Sequence, residues 1–152
     1  FNMIQQDVPD CYFLDLFAGS GQIGLEAVSR GAAKAFFIEN AKNAAACIQD
    51  NIRFTKFEDA CTLLQTDVIS GLRTLEGKYR FDLIFMDPPY KKELEKEVLT
   101  FLSHSSLVKP SAKIIVEAAL ETDFSYAEGL GYTVLKEKCY KTNKHVFLQK
   151  EK

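Results

Sequence analysis

The chain has 152 residues, of which 47% are hydrophobic, and a formal net charge of −2. No apolar run reaches the length that spans a membrane, and this net charge gives no sign of a protein that binds nucleic acid through bulk positive charge. The length fits one domain with one core. Because the chain begins at Phe1 with neither Met nor a signal peptide, we expect residues 1–152 to be a single domain of a longer protein.

The four cysteines are scattered and none belongs to a C-x-x-C pair. Together with only two histidines, they predict no metal site. Reduced thiols are typical of a cytoplasmic protein. Cys47 and Cys61 stand among apolar residues, so we expect both of them to fill the core rather than to act as nucleophiles.

The first predicted strand, residues 12–17, leads into a glycine loop. Its apolar run is typical of a strand that is buried on both faces. Gly19, Gly21 and Gly24 follow the G-x-G-x-x-G spacing, in which glycine permits a sharp turn and the close approach of a ligand. The helix predicted at residues 22–30 points its N-terminal N–H groups at that ligand. The stretch predicts a nucleotide-type cofactor site; the alternative is a glycine turn without a ligand.

Asp15 lies in this strand, four positions before Gly19, and helps to distinguish between cofactors. A carboxylate repels a pyrophosphate but attracts a cation and accepts hydrogen bonds from an amine. S-adenosylmethionine carries an α-amino group and a sulfonium and has no phosphate. Asp15 therefore favours S-adenosylmethionine over NAD or FAD, and a solvated aspartate is the alternative.

The second predicted strand, residues 34–39, ends in an acid. Glu39 follows Asp15 by 24 positions, close to the spacing of about 20 between a glycine loop and the acid that holds a ribose. We expect Glu39 to accept hydrogen bonds from both ribose hydroxyls. The alternative is an acid that favours the dipole of the next predicted helix, residues 40–54.

An acid also follows the third predicted strand, residues 61–65. Asp67 can accept a hydrogen bond from the adenine amino group of a cofactor. It can also cap the helix predicted at residues 68–75, for which Asp is a favoured residue. The two roles are compatible.

The fourth predicted strand, residues 81–86, runs directly into Asp87-Pro88-Pro89-Tyr90. Each proline fixes its own φ and keeps the preceding residue out of the helical region, so the loop is stiff and extended. The Asp87 carboxylate and a main-chain carbonyl can then accept both N–H bonds of an exocyclic amino group. This orients the nitrogen lone pair at an electrophilic methyl, and Tyr90 offers a face on which a flipped base can stack. The alternative is a rigid loop with a capping Asp and a packing Tyr.

The remaining elements complete an α/β pattern. We predict a helix at residues 91–105, a loop at 108–110, a strand at 112–116, and a hairpin of residues 132–140 and 144–149. The alternation of strands and helices predicts a doubly wound, Rossmann-like sheet that is mostly parallel and ends in an antiparallel hairpin.

The C-terminal hairpin region is basic. Residues 136–152 contain six lysines and two glutamates, a balance of +4 that leaves −6 for the rest of the chain. Lysines protect an edge strand from aggregation, which is the favoured interpretation. Contact with phosphates of a nucleic acid is the alternative.

Three stretches resemble the RsmD family of bacterial methyltransferases: residues 14–21 (LDLFAGSG), 24–32 (GLEAVSRGA) and 81–90 (FDLIFMDPPY). Members of this family place a methyl group on the N2 amino group of a guanine in 16S rRNA. The resemblance covers nearly the whole chain. It implies a class I methyltransferase fold, S-adenosylmethionine as methyl donor with S-adenosylhomocysteine as product, no metal, and 16S rRNA, free or within the small ribosomal subunit, as partner.

The resemblance also implies the residues of the site. Those expected at the cofactor are Asp15, Phe17, Gly19, Ser20, Gly21, Glu39, Asn40, Asp67 and Val68. Those expected at the methyl acceptor are Asp87, Pro88, Pro89 and Tyr90. Family members carry a basic segment upstream of the position of Phe1, which this sequence does not include.

Three alternatives stay open. The Asp-Pro-Pro-Tyr type of motif also occurs in adenine-N6 and cytosine-N4 amino-methyltransferases, which act on DNA or other RNA. An NAD-dependent oxidoreductase would need a substrate domain or a catalytic dyad, for which the sequence gives no signal. The third alternative is an RNA-binding module without catalytic activity. The sequence does not predict the oligomeric state.

Overall fold

The structure, a computed structural model, describes residues 1, 3–90 and 92–151. These residues form one seven-stranded sheet with helices on both faces. The strands are β1 Tyr12–Leu16, β2 Lys34–Ile38, β3 Cys61–Leu64, β4 Phe81–Met86, β5 Val108–Ala119, β6 Tyr132–Cys139 and β7 Asn143–Lys150. The helices are α1 Gln22–Ser29, α2 Lys42–Thr55, α3 Val68–Leu75, α4 Leu94–Ser103 and a 3₁₀ helix at Ser125–Leu130.

The strand order is β3-β2-β1-β4-β5-β7-β6. Strands β1 to β5 pair in parallel, whereas β7 is antiparallel to both β5 and β6. The order reverses between β1 and β4, and in such sheets ligands bind beyond the carboxyl ends of the strands at the reversal. The predicted doubly wound sheet with a C-terminal antiparallel hairpin is confirmed.

Alternate residues of the central strands build two hydrophobic layers. Leu14 and Ile84 belong to the layer that includes residues of α3 and α4. Phe13 and Leu83, their neighbours in sequence, belong to the layer that includes residues of α1 and α2. Because helices cover both faces, β1 and β4 are apolar along most of their length rather than alternating with polar residues.

Strand β5 begins earlier than the sequence pattern predicts. Val108 pairs with Phe81, and Lys113 pairs with Leu83. Between these two pairs, β5 advances by five residues and β4 by only two. Pro110 and Ser111, the latter with φ +67°, lie in this bulge, which is where a strand tolerates a proline. The prediction of a loop at residues 108–110 was wrong because the irregular segment remains within the sheet.

Cys47 and Cys61, which the sequence predicts in the core, differ in their exposure to solvent. Ala45, Ile48 and Ile52 form the buried stripe of α2, and Cys47 lies outside this stripe and is exposed, so the prediction of a core position for Cys47 was wrong. Cys61 is half-buried. Burial raises the pKa of its thiol to about 11, which disfavours the thiolate, the nucleophilic form, at neutral pH.

Helix α4 is shorter than predicted. It begins at Leu94 and ends at Ser103, and Lys91, where the prediction placed its beginning, lies outside the described residues. None of the helices in the described part of the chain combines the length and the apolar composition that crossing a membrane requires. The assignment of residues 1–152 to a single domain stays a prediction.

Candidate active site

The glycine loop between β1 and α1 has a left-handed backbone at two positions. Gly19 and Gly21 adopt φ values of +60° and +79°, which other residues rarely adopt. Helix α2 holds this loop, because the side-chain amide of Asn51 donates a hydrogen bond to the carbonyl oxygen of Ser20 at 2.9 Å. No local sequence motif predicts this contact of Asn51.

Asp15 lies beneath the loop and is only 2% exposed. Its Oδ2 accepts a hydrogen bond from the backbone N–H of Gly24 at 3.0 Å, in the first turn of α1. Burial raises the pKa of the Asp15 carboxyl well above its ordinary value, and the bond from Gly24 acts in the opposite direction. Asp15 therefore ties β1 to α1, and its predicted contact with a cofactor amine stays a prediction.

Glu39 connects the glycine loop to α2. Its Oε1 accepts from the N–H of Gly19 at 2.7 Å, and its Oε2 accepts from the N–H of Ala41 at 3.0 Å. The bond from Ala41 supports the alternative interpretation, in which Glu39 is an acid at the beginning of the next helix. The ribose role stays a prediction, and it is compatible with these bonds because a carboxylate has further lone pairs to offer.

A cavity of about 440 Å³ opens beside Glu39 at the carboxyl edge of the sheet. Its volume lies in the range of small-molecule sites. One wall consists of residues that the sequence predicts for a cofactor: Phe17, Glu39, Asn40, Asp67 and Val68. The opposite wall comes from α4, through Leu94, Glu97 and Val98. The other residues predicted for the cofactor do not line this cavity: Asp15, Gly19, Ser20 and Gly21. Their connection to it is the hydrogen bond from Gly19 to Glu39.

Asp67 combines a capping contact with a position at the cavity. Its Oδ2 accepts a hydrogen bond from the N–H of Ser70 at 3.1 Å, which confirms the predicted cap of α3. Hydrogen bonds from Ser70 hold the pKa of the Asp67 carboxyl below its ordinary value, so the group is ionised at neutral pH. Its contact with an adenine amino group stays a prediction.

A second, more open cleft of about 500 Å³ lies at the loop that follows β4. It is lined by Phe17, Glu39, Asp87, Pro88, Pro89, Tyr90 and Glu117. Because Phe17, Glu39 and Pro89 line both spaces, the cavity and the cleft share a rim. A group held in one lies next to a group held in the other.

Phe17 stands on this shared rim with an unusual backbone. Its φ of +57° is rare for a bulky side chain. Such strain persists only where the surrounding structure enforces it, and it is concentrated at functional sites. The strand assignment of the sequence gave no indication of this conformation.

Glu117 and His145 place charges beside Asp87. They face each other across β5 and β7, with Oε1 of Glu117 at 3.1 Å from Nε2 of His145. The pKa of the Asp87 carboxyl is raised to about 6, first by its partial removal from water and then by the charge of Glu117 and a hydrogen bond with it, while His145 acts in the opposite direction. A carboxyl that titrates near neutrality in a cleft is typical of catalytic sites.

Glu117 and His145 are not among the residues that the sequence predicts for the site. Glu117 had a usable signal, since it directly follows the apolar run Ile114-Ile115-Val116 as Asp87 follows β4. His145 comes from the antiparallel strand β7, and no local pattern gives the register of β7 against β5. Among residues 1, 3–90 and 92–151, no cluster of three or more His, Cys, Asp or Glu side chains is placed to hold a metal ion.

The strand order, the glycine loop after β1 and the Asp-Pro-Pro-Tyr loop after β4 together define a class I methyltransferase fold. A family model described as Conserved hypothetical protein 95 matches residues 1–149. The chain belongs to this family, which is the RsmD family that the three sequence stretches resemble.

Two relatives carry the name ribosomal RNA small subunit methyltransferase D. The one from Haemophilus influenzae is 34% identical over 143 residues, which are 91% of this chain and 71% of the relative. The one from Escherichia coli is 31% identical over 121 residues, 80% of this chain and 60% of the relative. A solved structure of a conserved hypothetical protein from Streptococcus pyogenes is 36% identical, with a TM-score of 0.89, and covers 99% of this chain and 92% of its own.

Proposed function

We propose that the chain transfers a methyl group from S-adenosylmethionine to the N2 amino group of a guanine in 16S rRNA. The observation that carries this proposal is the shared rim, where Phe17, Glu39 and Pro89 line both the cavity and the cleft of Asp87. Direct transfer requires donor and acceptor to lie in contact. The names of the relatives from Haemophilus influenzae and Escherichia coli support ribosomal RNA of the small subunit as the substrate.

The cavity fits S-adenosylmethionine better than a dinucleotide. The N–H groups of the glycine loop that would bind a pyrophosphate are already bonded to carboxyl groups, Gly19 to Glu39 and Gly24 to Asp15. In the wall of the cavity, Glu39 accepts from the ribose of this cofactor and Asp67 accepts from its adenine amino group. When bound, the cofactor supplies an electrophilic methyl group.

The cleft prepares the acceptor nitrogen. The Asp87 carboxylate and a main-chain carbonyl of the loop accept the two N–H bonds of the guanine amino group, which directs its lone pair towards the shared rim. The negative charge of Asp87 stabilises the positive charge that develops on the attacking nitrogen. Tyr90, 46% exposed, stacks against the flipped base.

Mass spectrometry of nucleosides from 16S rRNA tests the base that is methylated. Deletion of the gene should remove one N2-methylguanosine, and complementation with the parent gene, but not with the Asp87→Ala variant, should restore it. Loss of N6-methyladenosine or N4-methylcytosine instead would move the protein to the other amino-methyltransferases.

The substrate form and the compartment belong to the same proposal. We place the reaction in the cytoplasm, where 16S rRNA is assembled into small subunits. Transfer of a labelled methyl group to deproteinised 16S rRNA and to small subunits, both isolated from the deletion strain, separates the two substrate forms. Methylation of only one of them identifies it as the substrate.

A further inference from the structure

The cleft itself is unsuited to a polyanion. Glu39, Asp87 and Glu117 line it, so the phosphates that flank a target base meet negative charge. A protein that binds nucleic acid neutralises phosphates with lysine or arginine. Since the proposed substrate is an RNA, on which this inference rests, cations must lie on the rim of the cleft rather than inside it.

The turn between β6 and β7 lies on that rim. Strand β7 begins at the carboxyl edge of β5, where Asn143 pairs with Ala119, and the N–H of Tyr140 closes the turn by donating to the carbonyl oxygen of Asn143 at 2.8 Å. Two residues after Asn143, the ring of His145 lies 3.1 Å from the carboxylate of Glu117, which lines the cleft.

This turn exposes an aromatic ring next to lysines. Tyr140 is 44% exposed, and its ring centroid lies 4.9 Å from that of His145, the histidine bonded to Glu117. The ammonium of Lys138 lies 5.5 Å from the centroid of the Tyr140 ring. Lys141 is exposed in the turn itself.

The charges of Lys138 and Lys141 are not neutralised locally. Lys144, in contrast, is nearly buried and bonds the Glu137 carboxylate at 2.7 Å. Within the described residues, neither Lys138 nor Lys141 forms an ion pair. The contact of Lys138 with the exposed ring is weak because both groups face water, so Lys138 can exchange it for a phosphate at little cost.

We propose that the β6–β7 turn docks the RNA strand next to the target base. Tyr140 stacks on a neighbouring unpaired base, and Lys138 and Lys141 contact the phosphates on either side. An aromatic platform flanked by cations is the combination with which proteins hold single-stranded nucleic acid. Protection of an edge strand from aggregation explains lysines along β6. It does not explain an exposed tyrosine at the end of the hairpin that borders the cleft.

Binding of the chain to an unmethylated 16S rRNA transcript, measured by filter binding over a series of salt concentrations, tests the lysines. The variant Lys138→Gln/Lys141→Gln should bind about 10- to 30-fold more weakly near 0.1 M salt. Its log–log salt slope should be smaller by about 1.4–1.8, the loss of two phosphate contacts. The control Lys56→Gln/Lys78→Gln removes the same charge from exposed lysines at the opposite edge of the sheet and should bind as the parent does.

Two substitutions test the ring. Tyr140→Phe keeps a stacking surface and should bind the transcript within about twofold of the parent, whereas Tyr140→Ala should lose at least about fivefold. Circular dichroism and cofactor calorimetry on every variant verify that the fold and the cavity are intact.

The outcomes separate the docking surface from the proposed function. The docking proposal is overturned if the turn variants keep the affinity and salt slope of the parent, if the control pair weakens binding equally, or if the parent does not bind the transcript. A parent that binds the transcript through the turn but transfers no methyl group to RNA or to subunits would keep the docking surface and refute the proposed reaction.

Discussion

Two neighbours act on the Asp87 carboxyl in opposite directions. The charge of Glu117 raises its pKa, whereas His145, when protonated, lowers it, with a resulting value of about 6. Because the proposed reaction requires the ionised carboxylate to accept the N–H bonds of the substrate and to stabilise its developing charge, we expect kcat/KM to fall as the pH decreases through about 6. The acidic limb of this profile reports groups of the free enzyme.

Substitutions of the two neighbours should shift that limb in opposite directions. Glu117→Gln removes a negative charge, so the pKa of Asp87 should fall and the acidic limb should move to lower pH. His145→Gln removes the influence of His145, which lowers the pKa of Asp87, so the limb should move to higher pH. Profiles of kcat/KM for parent and variants measure both shifts, and movement in the same direction would contradict this account of Asp87.

Removal of Asp87 should separate catalysis from cofactor binding. Its carboxylate lines the cleft and not the cavity. We expect Asp87→Ala to reduce methyl transfer by at least about 10²-fold, the usual cost of losing a preorganised electrostatic contact. Calorimetry should show an affinity for S-adenosylmethionine within about threefold of the parent. Undiminished transfer by this variant would exclude Asp87 from the mechanism.

At the scale of elements, Gly24 sets the distance between α1 and β2. A Cβ at this position would overlap the buried ring of Phe37. Alanine favours a helix by about 1 kcal/mol over glycine, but overpacking against a fixed ring costs about 1–3 kcal/mol. We expect Gly24→Ala to lower the free energy of unfolding, and to weaken cofactor binding because the loop before it shifts.

Gly129 provides the matched control. It lies in the 3₁₀ helix, and a Cβ there would meet no atom within 4 Å. Gly129→Ala should leave the stability within about 0.5 kcal/mol of the parent. Chemical denaturation of both variants measures the difference, and equal stabilities would show that the Phe37 ring yields to the methyl group.

The elements that the sequence predicts well are those whose cues are local. The apolar run of β1, the spacing from Gly19 to Gly24 and the two prolines after β4 each define a conformation within a few residues, and the structure places them at one edge of the sheet. The bulge around Pro110 and the pairing of Glu117 with His145 depend on strands that are distant in sequence. A window of residues contains no information on such pairing, and the same holds for the bond from Asn51 to Ser20.

At the scale of the whole molecule, the two halves of the site exist only when the sheet is complete. The cavity takes residues that follow β1 and β2, the beginning of α3 and one side of α4. The loop after β4 contributes Pro89 to both spaces, and the cleft adds the rest of this loop and Glu117 of β5. A ligand of this site therefore binds the folded chain and not the unfolded chain, and its binding free energy adds to the stability of the entire fold.

This coupling predicts how ligands change thermal unfolding. At 100 times its dissociation constant, S-adenosylmethionine or S-adenosylhomocysteine should stabilise the chain by about 2.7 kcal/mol. For a domain of this size, that corresponds to an increase in Tm of about 5–10 °C, in one transition because all contributing strands belong to one sheet. NAD should leave Tm unchanged, since the N–H groups of Gly19 and Gly24 that a pyrophosphate would need are bonded to Glu39 and Asp15. Glu39→Gln should reduce the increase, because the ribose loses an anionic acceptor. A larger increase with NAD than with S-adenosylmethionine would favour an oxidoreductase and overturn the cofactor assignment.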